Sequence, residues 1–108
     1  MTDHRFEPAR IPAEVVGFFR RLDEHATDRL HFRHLDEDQG LWLWQAVPVE
    51  GEVVAIKQVQ VAPDGTVSRY WWQRMQDDRG FLTDQPLNPE EDGLLSITSE
   101  EFRRYWQP

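Results

Sequence analysis

The chain contains no cysteine, which excludes a disulfide framework, a thiolate metal site and a cysteine nucleophile. No apolar run approaches the ~18 residues needed to span a bilayer. Residues 1–10 (Met-Thr-Asp-His-Arg-Phe-Glu-Pro-Ala-Arg) carry no apolar stretch of the kind a signal peptide needs. Lysine is nearly missing: Lys57 is the only one. Positive charge is outweighed, with 12 basic against 20 acidic residues and a net charge of −8. Such a field repels nucleic-acid phosphates and anionic lipid, and attracts basic partners. The expectation is a cytoplasmic protein that binds neither nucleic acid nor membrane. A length of 108 residues fits one domain with one modest core.

What is abundant is aromatic. Five Trp, six Phe and two Tyr accompany a mean hydropathy of −0.72, whereas a disordered acidic segment is poor in large rings. The charge is unevenly spread. Residues 1–35 hold six acids and six arginines, and residues 36–108 hold fourteen acids against six bases. The excess is clustered at Asp36-Glu37-Asp38, Asp77-Asp78 and Glu90-Glu91-Asp92.

Residues 1–10 read as a polar N-terminal arm and 11–108 as a single α+β domain. Pro12 suits a first helical position, and Val15, Val16, Phe19, Leu22 and Ala26 form one stripe of a helix over 12–26. Residues 29–35, 41–47, 52–62 and 66–73 have strand patterns. Ala62-Pro63-Asp64-Gly65-Thr66 is a three-residue hairpin turn with Gly65 in the left-handed position, and Pro48-Val49-Glu50-Gly51 makes the preceding turn. Residues 74–93 read as loop. Thr98 and Glu101 match a capping box opening a short C-terminal helix with Phe102, Tyr105 and Trp106 on its apolar face. The fold class is an antiparallel sheet of three to four strands with an N-terminal helix on one face and a short C-terminal helix.

The turns imply a register. With Ala62 opposite Thr66 and Val47 opposite Glu52, Leu41, Leu43, Val54, Ile56, Tyr70 and Trp72 share the face under the first helix. The other face then carries Trp42, Trp44, Ala55, Lys57 and Trp71, with Lys57 between tryptophans in a cation–π ladder. A one-residue slip would exchange the two sides. This second face is either covered by the C-terminal helix or open as a binding surface.

Catalytic signals are weak. His31 and His34 have a metal-ligand spacing, but on a strand they point to opposite faces, so no metal is expected. His25 near a helix end favours the helix dipole. Asp36-Glu37-Asp38 lacks the central Gly and terminal Glu of a calcium loop. No nucleophile elbow, phosphate loop or dinucleotide fingerprint occurs, so no cofactor is expected.

Val59-Gln60-Val61 with Asp64-Gly65, Leu82-Thr83-Asp84-Gln85-Pro86-Leu87, and Ile97-Thr98-Ser99-Glu100-Glu101-Phe102 with Trp106 resemble segments of a family of small bacterial proteins catalogued as domain of unknown function 6881. The resemblance covers about residues 53–106 and leaves residues 1–28 outside it. It implies a compact α+β domain and brings no catalytic residues.

These observations lead to the expectation of a non-catalytic protein-interaction domain, an immunity- or antitoxin-type inhibitor of a basic partner. Its binding residues would be Trp42, Trp44, Lys57, Trp71, Asp77, Asp78, Glu90, Glu91 and Asp92. The alternatives are a small-molecule site or enzyme pocket between the sheet and the first helix, lined by Trp72, Tyr70, Phe19 and His31, and self-association through the tryptophan face.

Overall fold

The structure is a computed structural model and describes residues 10–107, so the expected arm lies, apart from Arg10, outside the described residues. Helix α1 spans Ala13–His25 and α2 spans Ser99–Trp106. Strands β1 (Leu30–Leu35), β2 (Leu41–Val49), β3 (Glu52–Val61), β4 (Val67–Tyr70) and β7 (Leu95–Ser96) form one sheet in the order β4-β3-β2-β1-β7. Every pairing in it is antiparallel. Strands β5 (Gln76–Asp77) and β6 (Gly80–Phe81) form a separate two-stranded ribbon. The architecture is therefore α+β, with one strand more in the main sheet than the three or four expected. That strand, β7, is only two residues long and carries no alternating pattern to announce it.

Pro12 sits one residue before α1 with extended backbone at φ −58° and ψ 144°, and its carbonyl accepts from the amides of Val15 and Val16. Phe19 is the buried residue of the helix, with Val15 and Val16 packed beside it. In α2 the Thr98 hydroxyl accepts from the Glu101 amide at 3.0 Å, as the capping pattern requires. The Glu101 carboxylate lies 3.9 Å from Arg33.

The turn after β3 is as expected: Gly65 has φ +88° and its amide donates to the Ala62 carbonyl. The turn before it is shorter. Glu50 (φ +49°) and Gly51 (φ +83°) form a two-residue turn that pairs Val49 with Glu52. Two consecutive left-handed residues match the right-handed twist of the flanking strands. Pro48 stays inside β2 because β1 reaches only Ala46, so no neighbour seeks a proton from the proline nitrogen. A β-bulge follows: Gln45 pairs with Lys57 but Ala46 with Ala55, leaving Ile56 as the extra residue.

The shorter turn slides β2 along β3 by two residues, which keeps the faces, and the bulge adds the one-residue shift that exchanges them. Val47 pairs with Val54, Trp42 with Gln60 and Trp44 with Gln58. Trp42 and Trp44 therefore share a face with Gln58, Gln60, Tyr70 and Phe32, while Lys57 lies beside Gln45 on the other. Trp71 does not continue β4; it closes a tight turn with Arg74, their backbones hydrogen-bonded in both directions. Leu41 and Leu43 lie not beneath α1 but with Val59 and Phe102, under α2. The cluster containing Phe19 of α1 holds Trp44, Ala46, Ala55 and Tyr70, completed by Met75, Leu82 and Leu87 from the long connection.

Candidate functional site

The residues that make a cleft on the Trp42–Trp44 face are assembled by one buried amide. Gln58, 2% exposed, accepts through Oε1 from Trp44 Nε1 at 3.0 Å and from the Thr83 amide at 3.1 Å. Its Nε2 donates to Gln60 Oε1 at 2.9 Å and to the Phe81 carbonyl at 2.8 Å. All of its polar capacity is thus used inside the protein. The result is to tie segment 81–83, which has little secondary structure of its own, onto the sheet. Leu82 and Leu87 anchor the same segment by burial, with their amides bonded to Met75 and Val53 carbonyls at 2.8 Å each.

Between this segment and the sheet lies a cleft of about 640 Å³. Trp42 and Trp44 line it as a stacked pair, 6.1 Å between ring centres and 22° between planes. Gln60, Phe81, Pro86 and Leu94 complete most of the wall, and His34, Arg79 and Asp92 supply its ionisable groups. Phe81 is 59% exposed at the rim of the cleft.

Two acidic residues brace the cleft. Asp36 accepts from Trp42 Nε1 at 2.9 Å and from the amides of Asp38 (2.9 Å) and Gly40 (2.7 Å). The Trp42 hydrogen bond, followed by those backbone donors, holds its pKa below the ordinary carboxylate value. Asp77 accepts from Tyr70 Oη at 2.7 Å, from the Arg79 and Gly80 amides at 2.8 and 3.1 Å, and from Arg74 at 3.0 Å. Burial pushes the Asp77 pKa up, but the Tyr70 hydroxyl, the Arg79 amide and Arg74 outweigh it, so the net direction is down. Asp77 is therefore committed to shaping the β5–β6 turn. Asp78 beside it is exposed, as are Glu90, Glu91 and Asp92 in the turn preceding Leu94.

The nine residues singled out in the sequence thus separate. Trp42, Trp44 and Asp92 line the cleft; Asp78 adjoins it through Arg79, and Glu90 and Glu91 through Asp92. Lys57 and Trp71 are on the opposite side of the sheet, both against Trp106. The Lys57 ammonium is 5.4 Å from its ring centre, and Trp71 meets it edge-on at 5.3 Å. The expected ladder of Lys57 between sheet tryptophans is replaced by this contact with α2. His31 and His34 are split across the sheet as their spacing on a strand requires: His34 lines the cleft, whereas His31 packs on Phe102 at 5.4 Å and accepts from Gln45 at 3.1 Å. Burial, then Arg29 and Lys57, lowers the His31 pKa. Gln58, Gln60 and Phe81 were missed. The two glutamines alternate along β3 in phase with Trp42 and Trp44, a signal that becomes readable only with the bulge in place.

Among the described residues no helix is long and apolar enough to cross a membrane. Comparison with known proteins returns no matching family model, no matching curated protein and no matching solved structure.

Proposed function

We propose that this chain is a non-catalytic protein-binding domain of the bacterial cytoplasm, an immunity- or antitoxin-type inhibitor whose partner is a basic protein. The observation that carries the reading is the meeting, at one open cleft, of the stacked Trp42–Trp44 pair and exposed Phe81 with the acidic margin of Asp78, Glu90, Glu91 and Asp92. Aromatic side chains hold a contact once it is made, and a margin in which four acids outnumber Arg79 steers encounter and rejects acidic competitors. The occupant that fits is an arginine or lysine side chain carried on a basic surface, its stem against the indoles and its charge near Asp92.

Photo-crosslinking in the native cell tests this. A benzophenone amino acid at position 81 should give one abundant adduct with a basic protein, and the same group at Phe18 on α1 should not. The adduct should weaken with salt and disappear when Glu90, Glu91 and Asp92 are all changed to Lys. Equal adducts from both positions, or an adduct indifferent to charge reversal, would sink the proposal. An adduct with a second copy of this chain would replace it with self-association.

A second reading is favoured by the cleft's volume, which lies in the ~300–1,000 Å³ range of small-molecule sites. Here the Gln60 amide and His34 would orient a flat polar ligand against Trp42. The site would be this cleft and not the space between sheet and α1, where Phe19 and Tyr70 are packed to 4% and 0% exposure. Saturable binding of a neutral aromatic fragment, lost in Trp42→Ala and insensitive to salt, would favour it over the protein partner.

A further inference from the structure

On the other side of the sheet the charge balance of the chain is locally inverted. A cavity of about 270 Å³ lies between Arg29 just ahead of β1, strands β2 and β3, and α2 with Gln107 behind it. Its charged lining residues are Arg29, Lys57 and Arg103, and none of its described lining residues is acidic. Gln45, Phe102 and Trp106 form much of the remaining wall. In a chain of net charge −8, three cations converging on one small hollow run against composition.

The nearby carboxylate does not neutralise them. Asp23 is engaged by Arg29, Nη1 to Oδ1 at 2.8 Å, and lies 3.9 Å from the Lys57 ammonium. It offsets one charge of the three. The Lys57 side chain is only 20% exposed, and burial lowers its pKa from the ordinary value with Asp23 opposing. Arg29 is also fixed by Gln45 Oε1 at 2.7 Å, which turns the Gln45 amide nitrogen toward His31. His31 accepts through that ring nitrogen, so it is held neutral and adds no charge. Arg29 and Lys57 are thus oriented before any ligand arrives, which reduces the ordering cost of binding.

We infer that this cavity is a binding site for a small organic anion, with a carboxylate or phosphate head paired to Lys57, Arg29 and Arg103 and a flat apolar body against Trp106 and Phe102. The cavity's size suits a single-ring ligand. It is separated from the aromatic cleft by the thickness of the sheet, so the two sites stand or fall independently.

The probes are benzoate, phenyl phosphate, inorganic phosphate and, as the cationic control, benzylamine. They are titrated into the whole ¹⁵N-labelled chain while the Trp106 indole N–H and the amides of 99–107 are followed by NMR. Saturable shifts with benzoate or phenyl phosphate, stronger than with inorganic phosphate, and none with benzylamine, are expected. Arg103→Gln and Lys57→Gln should each weaken binding about tenfold, the effect of losing one charge-assisted contact. Arg103 is exposed on α2, so its variant reports even if loss of Lys57 disturbs folding. Shifts that rise linearly without saturating, that benzylamine reproduces, or that survive Arg103→Gln would overturn the inference.

Discussion

Trp44 and Gln58 are hydrogen-bonded across β2 and β3, the indole Nε1 donating to the amide oxygen at 3.0 Å, and that oxygen also accepts from the Thr83 amide. One side chain therefore fixes both the floor of the cleft and the segment that walls it. Substituting Gln58→Leu keeps the volume roughly but leaves the Trp44 indole, the Thr83 amide, the Phe81 carbonyl and Gln60 Oε1 without their partner. Each unsatisfied buried group costs ~1–3 kcal/mol, so a loss of at least about 3 kcal/mol in urea unfolding is expected. Amide exchange should accelerate most at 81–83. A loss confined to global stability, with no local acceleration there, would show that Leu82 and Leu87 alone hold the segment.

Gly80 provides a steric test of the same wall. A Cβ at this position would come within 2.8 Å of Gln60 Oε1 and 3.2 Å of Tyr70 Oη. Gly80→Ala should therefore push Gln60 off Gln58 and narrow the cleft, at a cost of about 1–3 kcal/mol. Gly51 makes a contrast, since nothing lies within 4 Å of its Cβ position but its φ is +83°. Gly51→Ala should cost about 1 kcal/mol through backbone strain alone and leave the Gln60 side-chain NMR signals unmoved.

Much of this molecule was legible in the sequence, and the failures share a cause. The stripe of α1, the Thr98 cap, the Gly65 turn and the splitting of His31 from His34 each follow from a local pattern. So does the apolar face of α2, where Phe102 is buried, whereas residues 74–93 read as loop and give no sign that Leu82 and Leu87 are buried. The partition of tryptophans and Lys57 between faces was not local. It depended on an extra residue at Ile56, which has no composition signature. A register error of this kind reassigns whole faces while leaving every strand in place.

The acid side of the stability curve should report Asp36 and Asp77. Both have folded-state pKa values below the ordinary carboxylate value, so the unfolded chain binds protons more readily at these sites. Their stabilisation is complete above the unfolded value near pH 4 and is lost as pH falls through the lower folded values. Urea midpoints measured between neutral pH and about pH 2.5 should decline for the wild type across that window. Asp77→Asn, which still accepts one hydrogen bond but cannot titrate, should lower the neutral-pH midpoint and flatten the decline. An unchanged slope in both Asp77→Asn and Asp36→Asn would remove these carboxylates from the account.

His31 acts at a higher pH and in the same direction. Burial and the neighbouring Arg29 and Lys57 disfavour its charged form, so protonation is easier in the unfolded chain. The sign follows from linkage: stability is highest above the unfolded histidine value of about 6.5 and falls as pH drops from there toward the lower folded value. Its neutral ring also accepts from Gln45 at 3.1 Å, a bond that protonation abolishes. His31→Gln retains an acceptor without a titrating group and should remove the component of the decline just below pH 6.5, leaving the carboxylate component at lower pH intact. The NMR titration of His31 should show a pKa below the ordinary histidine value of about 6.5; a value at or above it would contradict a neutral, buried ring beside three cations.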